Sequence, residues 1–187
     1  MSRRARRLAV VVLVLLVVGA VALVLTTRPK LEDGRKGVDR AWTPVRGPLA
    51  ERYNRLGDAN AQLAAAGGGD RDVARALGLR LARWRDLQRV RTGDADADAE
   101  AETADQLEGL AARLEAVVSS SDRLRAAEGL NQAIAAFQGT GNQQLLAAVK
   151  TYNDSVRDYE DERDGLLRSP VASLFGYDAR PQLLLSG

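Results

Sequence analysis

From Leu8 to Leu25 the chain runs for eighteen residues without a charge, directly after Arg3, Arg4, Arg6 and Arg7. At ~1.5 Å per helical residue this run reaches about 27 Å, or about 30 Å with Thr26 and Thr27 added, the thickness of a bilayer's hydrocarbon core. Ala20 and Ala22 make the A-x-A pattern of a cleavage site, but Leu23, Val24 and Leu25 continue the run and no polar region intervenes, so a retained anchor is expected. Four arginines on one side, against Arg28 and Lys30 diluted by Glu32 and Asp33 on the other, place the N-terminus in the cytoplasm. The expected layout is a basic tail over 1–7, a transmembrane helix over 8–27, a juxtamembrane connector over 28–47 and a helical domain over 48–187.

Beyond the anchor there is room for one domain with a modest core. The chain is 45% hydrophobic yet only 4% aromatic, and its apolar residues are mostly Ala, Leu and Val, which suits an all-α fold. It contains no Cys and no His. Disulfides, thiolate metal sites and His-based acid–base chemistry are therefore excluded, and no cofactor is expected. The formal +2 arises from arginines near the start; beyond Arg28 the 25 acidic residues outnumber the basic ones, leaving about −3, and nucleic acid is not an expected partner.

Pro29, Gly34, Gly37, Pro44 and Gly47 predict that the connector is not one uninterrupted helix, with Trp42 packing on the end of the bundle. Pro48 suits a first helical position, and Leu49, Tyr53, Leu56 and Leu63 mark a stripe that Gly67–Gly69 terminates. With Asp70 as N-cap, Val73, Leu77, Leu81, Trp84 and Leu87 predict a second helix, antiparallel to the first. This helix is rich in arginine (Arg71, Arg75, Arg80, Arg83, Arg85, Arg89, Arg91), and the charged residues from Asp94 to Glu115 are all acidic except Arg113. The expectation is a solvated basic face beside an acidic neighbour. Asp94, Asp96, Asp98 and Glu100 echo a calcium loop, but Ala99 replaces the required Gly and Asp105 the bidentate Glu, so no metal site is expected. Leu107, Leu110, Leu114, Val117 or Val118, and Leu124 continue the three-and-four spacing of a third helix running to about Val118, Ser119–Ser121 predict a break with a new cap at Asp122, and Leu130, Ile134 and Phe137 a further apolar stripe before Gly139 and Gly141.

The final long helix, Leu145 to Leu167, carries Leu145, Val149, Tyr152, Val156, Tyr159 and Leu166, with Arg163 interrupting, in alternating steps of four and three. Such a stripe needs partner helices, and an antiparallel bundle of about four long helices supplies them. Pro170 is expected to end this helix, with Phe175 and Tyr177 as apolar plugs around a turn at Gly176.

Tyr152, Asn153, Val156 and Tyr159, followed by Pro170, Leu174, Phe175, Gly176, Tyr177, Arg180 and Pro181, resemble the closing pattern of the LemA family. Ala41, Trp42, Leu49, Arg52, Tyr53 and Leu56 resemble that family's first soluble helix, while the middle of the chain diverges from it. The resemblance implies a membrane-anchored bundle of about four long antiparallel helices with no defined molecular activity. Its motif residues are candidates for structure or recognition, with Tyr152 expected in the buried stripe and Asn153 expected to tie the helix to the returning tail.

The functional expectation is a non-enzymatic envelope protein, in contact with lipid through residues 8–27, that scaffolds or binds another membrane or envelope component. An extracytoplasmic small-ligand sensor is the alternative, though with only seven residues before the anchor it would signal through a partner. A hydrolase using Asp158 and Asp161 is disfavoured, since both are expected on one solvated helix face.

Overall fold

The computed structural model describes residues 3–69, 72–89, 94–141, 143–165 and 169–185. Among them the fold is all-α, with no strand: α1 (Arg3–Leu63), α2 (Asp72–Arg89), α3 (Asp94–Ser119), α4 (Asp122–Arg125), α5 (Glu128–Gln138), α6 (Gln143–Arg163) and α7 (Ser169–Leu174). The chain divides into two compact units, one of Met1–Gly37 with Arg157–Ala179, the other of Val38–Val156 with Arg180–Gly187.

The interrupted connector expected over 28–47 is not found, nor does the first soluble helix begin at Pro48. Helix α1 runs through Pro29, Pro44 and Pro48. Each proline removes a hydrogen bond and crowds the preceding turn, at about 3 kcal/mol in a helix interior. In the larger unit, packing outweighs that penalty. Val38, Trp42, Val45, Leu49, Arg52, Leu56, Ala59 and Leu63 are all buried at alternating steps of four and three, and each large apolar side chain contributes ~1.5–3 kcal/mol. Pro44 is exposed and Pro48 half-buried, off that seam. The carbonyls that lose their partners belong to Arg40 and Pro44, both exposed, where water can serve instead. Trp42 is accordingly a fully buried member of the seam rather than a cap on the bundle's end.

α1 closes at Leu63 and a wider turn follows over Ala64–Gly68, where Gly67 takes φ 79°. This left-handed conformation is open to glycine at little cost. Asp70, Arg71 and Arg91 lie outside the described residues. α2 returns antiparallel: the Asn60 amide donates to the Ala74 carbonyl at 3.2 Å, and Tyr53 meets Trp84 edge-on with ring centroids 4.9 Å apart. α3 then runs parallel to α1, since Trp42 bonds Glu100 and, further along both helices, Arg52 bonds Glu108. α3 is helical from Asp94, well before the first predicted stripe residue, because Ala97, Ala101, Ala104 and Ala111 extend the buried face with small side chains.

The break near Ser119–Ser121 is present, followed by the single turn of α4, which the apolar pattern did not announce. α5 and α6 are separate helices with a loop at Gly139–Gly141 between them. The stripe Leu145, Val149, Tyr152 and Val156 is buried as predicted, and Trp42 meets Tyr152 edge-on at 4.8 Å. Within the larger unit the layers are thus the later part of α1, then α2, α3 and the α5–α6 return, up-down-up-down as in a four-helix bundle. Leu166 and Leu167 lie outside the described residues, and α6 ends at Arg163.

In the smaller unit Leu31 packs with Val171 and Ala172, with Leu23, Val24 and Tyr177 closing around them. Tyr159 is buried and its ring lies against Gly34. Pro170 does not end the long helix; it is the second residue of α7, in a first turn where its missing N–H costs nothing. Near the N-terminus α1 is long and apolar enough to cross a membrane, and Val12–Leu15, Val17, Val18, Val21 and Leu25 all stand exposed on it.

Candidate functional site

The most organised chemistry lies in the seam between α1 and α3. Arg52 occupies a seam position midway between Leu49 and Leu56 and is wholly buried. Its Nε donates to Glu108 Oε1 at 2.8 Å and its Nη2 to Glu108 Oε2 at 2.9 Å, a two-pronged charge-assisted pair. Nη1 donates to the Phe137 carbonyl at 3.3 Å and to Thr140 Oγ1 at 3.4 Å, while the guanidinium lies 4.0 Å from the Phe137 ring centre. One side chain of α1 thereby engages α3, α5 and the loop after it. Beside it, the Tyr53 hydroxyl donates to the Ala104 carbonyl at 3.1 Å. Burial pushes the Tyr53 phenol well above its ordinary value of 10.0, and the negative charge of Glu108 adds to the effect.

About two turns earlier on α3 is the buried Glu100. Its Oε2 accepts from Trp42 Nε1 at 2.6 Å and from Arg46 Nε at 2.5 Å, and Oε1 accepts from the Gln88 amide of α2 at 3.4 Å. Next to this, the buried Arg180 of the C-terminal tail pairs with Asp98 and, at 3.1 Å, with Asp39 Oδ1. The acidic stretch therefore does more than face solvent. Asp98, Glu100 and Glu108 turn toward arginines of α1 and the tail. The arginines of α2 were expected to be matched by that stretch; instead Arg75 and Arg89 pair within their own helix with Asp72 and Asp86, and Arg80, Arg83 and Arg85 are exposed with no ion pair among the described residues.

The family-motif residues do not converge on one pocket. In the larger unit, the Tyr152 hydroxyl donates to the Pro181 carbonyl at 2.7 Å. The Asn153 amide donates to the Leu183 carbonyl at 2.8 Å and accepts from the Leu183 N–H at 2.9 Å, so Asn153 does tie helix to tail, and Val156 is buried beside them. In the smaller unit the Tyr159 hydroxyl donates to the Asp178 carbonyl at 3.0 Å. There Gly176 takes φ 69°, the Tyr177 N–H reaches back to the Ala172 carbonyl at 2.9 Å, and Tyr177 packs on Val171 and Ala172. This is the Schellman closure of α7: a left-handed glycine, a six-to-one hydrogen bond and an apolar contact across the turn. Pro170 is exposed. Phe175, expected as a plug, is 41% exposed.

Arg46 and Glu108 do not stand out in the sequence, and Glu100 does so only in the echo of a calcium loop. The available signal was positional, since Arg52 falls on the apolar seam and the alanines of α3 place Glu100 and Glu108 at its edge. No cluster of three or more potential metal-ligating residues is found among the described residues; the side chains of Asp94 and Asp96 lie outside them. Asp158 and Asp161 are exposed on α6. An open cleft of about 290 Å³ lies among α3, α4 and α5, lined by Glu115, Val118, Arg125, Asn131 and Ile134. Compared with protein-family models, with curated proteins and with solved structures, the chain matches none.

Two outcomes follow from the seam. Arg52→Met alone should lower stability by about 3–5 kcal/mol by stranding the Glu108 charge, and the double variant Arg52→Met/Glu108→Leu should regain most of that loss in denaturant unfolding. Because the Tyr53 phenol is raised in the folded state, its contribution is intact below about pH 10 and declines as pH rises beyond that, when the unfolded chain ionises first. Alkaline unfolding followed by helical signal and tyrosinate absorbance should show Tyr53 ionising together with loss of helix, and Tyr53→Phe should flatten the decline.

Proposed function

We propose that the protein is a non-enzymatic, LemA-like envelope protein, anchored in the membrane by residues 8–27 with its N-terminus in the cytoplasm and its helical bundle outside, where the bundle scaffolds or binds another membrane or envelope component. The observation that carries this reading is a contrast in how charge is used. Inside the larger unit Arg52, Glu108, Glu100 and Arg180 are engaged with one another and with neighbouring groups. On its surface, α2 presents Arg80 and Arg83 beside Leu79, itself 74% exposed, while the exposed Arg85 reaches toward Gly57 of α1. Chemistry on a substrate needs titratable groups converging on a cleft; recognition of an acidic partner needs a cationic face with apolar area at its centre. The hydrogen bonds that Tyr152, Asn153 and Tyr159 make to tail carbonyls support a structural role for the residues on which the LemA likeness rests. The exposed apolar surface of α1 from Val12 to Leu25 supports the anchor.

A photo-crosslinking residue at Leu79, activated in intact membranes, should capture the same component repeatedly, with the yield falling several-fold on Arg80→Glu/Arg83→Glu. Absence of any recurring product would remove the scaffold reading. A reporter active only in the cytoplasm, fused to the C-terminus, should stay silent; strong activity would reverse the topology.

A further inference from the structure

Within the smaller unit, α7 docks across the end of the apolar run and the first turns that follow it. Val171 and Ala172 bury against Leu31, and the cluster reaches down α1 to Leu23 and Val24. Those two are only partly exposed, whereas Val18, Val21 and Leu25 stand in the open at 59, 53 and 70%. From Leu23 to Leu31 is about 12 Å of helix, the depth over which a bilayer passes from acyl chains to headgroups. At that level α7 leaves two large apolar side chains uncovered, Leu174 at 74% and Phe175 at 41% exposure. The guanidinium of Arg28, the first charge after the apolar run, lies 5.3 Å from the Phe175 ring centre. Elsewhere around α7, Ser169 and Ser173 line a polar cleft with Arg163, Asp164 and Asp178. A short segment with an apolar edge, a polar flank and a cation over its aromatic ring, set against the last turns of a membrane helix, has the make-up of an interfacial anchor.

We propose that Ser169–Tyr177 is a second membrane contact, with Leu174 and Phe175 inserted at the headgroup–acyl boundary of the leaflet that α1 leaves at Arg28. This rests on the reading of residues 8–27 as a membrane span. The occupant is bilayer lipid because the segment packs, through Val171 and Ala172, on Leu23 and Val24 of the apolar run itself, and Phe175 stands beside Arg28, the first charge after that run. The Schellman turn at Gly176 then has a further consequence: it reverses the chain at the interface, so that Asp178 returns to accept from Tyr159.

The chain has no cysteine, so single thiols can be placed at will on exposed positions of the full-length protein. Leu174→Cys, Val17→Cys and Leu79→Cys variants, each labelled with a polarity-sensitive fluorophore, would be reconstituted into phosphatidylcholine/phosphatidylglycerol vesicles. The vesicles would carry nitroxide lipids labelled either near the headgroup end or near the chain terminus. The expected result is about twofold or greater loss of fluorescence at position 174 with the shallow nitroxide, strongest quenching at position 17 with the deep one, and none at position 79. If position 174 behaves like position 79 while position 17 is quenched, the interfacial contact is overturned and the membrane span stands. If position 17 is also unquenched, the span itself fails and the proposal with it.

Discussion

The Arg52–Glu108 pair is the interaction on which the arrangement of the larger unit depends. Burying two charges costs several kcal/mol each, and only a two-pronged geometry with further donors and acceptors satisfied brings the balance near zero. The pair therefore contributes less to net stability than to the choice of one packing over others. On α3 the seam is lined by Ala97, Ala101, Ala104 and Ala111, small side chains that would let α1 slide by a turn with little change in fit. Sliding by one turn would set Glu108 against Leu49 or Leu56, a buried carboxylate facing hydrocarbon. The charged pair supplies the register that the alanines do not.

The same division accounts for the surface. Carboxylates of α3 that turn inward are matched by Arg46 and Arg52 of α1 and by Arg180 of the tail, and among the described residues no ion pair joins α3 to an arginine of α2. Its five described arginines have two carboxylates on their own helix, Asp72 and Asp86, and both are already paired. An excess of one sign on a helix raises the encounter rate with opposite charge more than it stabilises the fold.

How legible the fold was depended on side-chain size and sign. The stripe of α6 could be read because Leu, Val and Tyr mark a helix face unambiguously. The first half of α3 was harder, because alanine contributes to a buried face without distinguishing it from an exposed one. The course of α1 was misread because prolines are scored locally, while the burial of Trp42, Val45 and Leu49 that overrides them is a tertiary effect. The buried charges were hidden for a related reason: reading polarity as exposure assigns Glu100 and Glu108 to solvent, and only the coincidence of Arg52 with the heptad seam of α1 signals an internal partner.

The tyrosines and asparagine of α6 can be explained without reference to any ligand. Tyr152, Asn153 and Tyr159 satisfy backbone carbonyls of an irregular tail that has no helix or sheet of its own to do so. Gly176 supplies the one left-handed residue that the closure of α7 requires, and Tyr177 the apolar contact across it. A set of side chains whose donors are all engaged with the chain's own backbone specifies architecture. Leu174 and Phe175 belong to the same closing pattern but stand exposed, so the pattern divides into residues that close the chain on its own backbone and two that are left open to their surroundings.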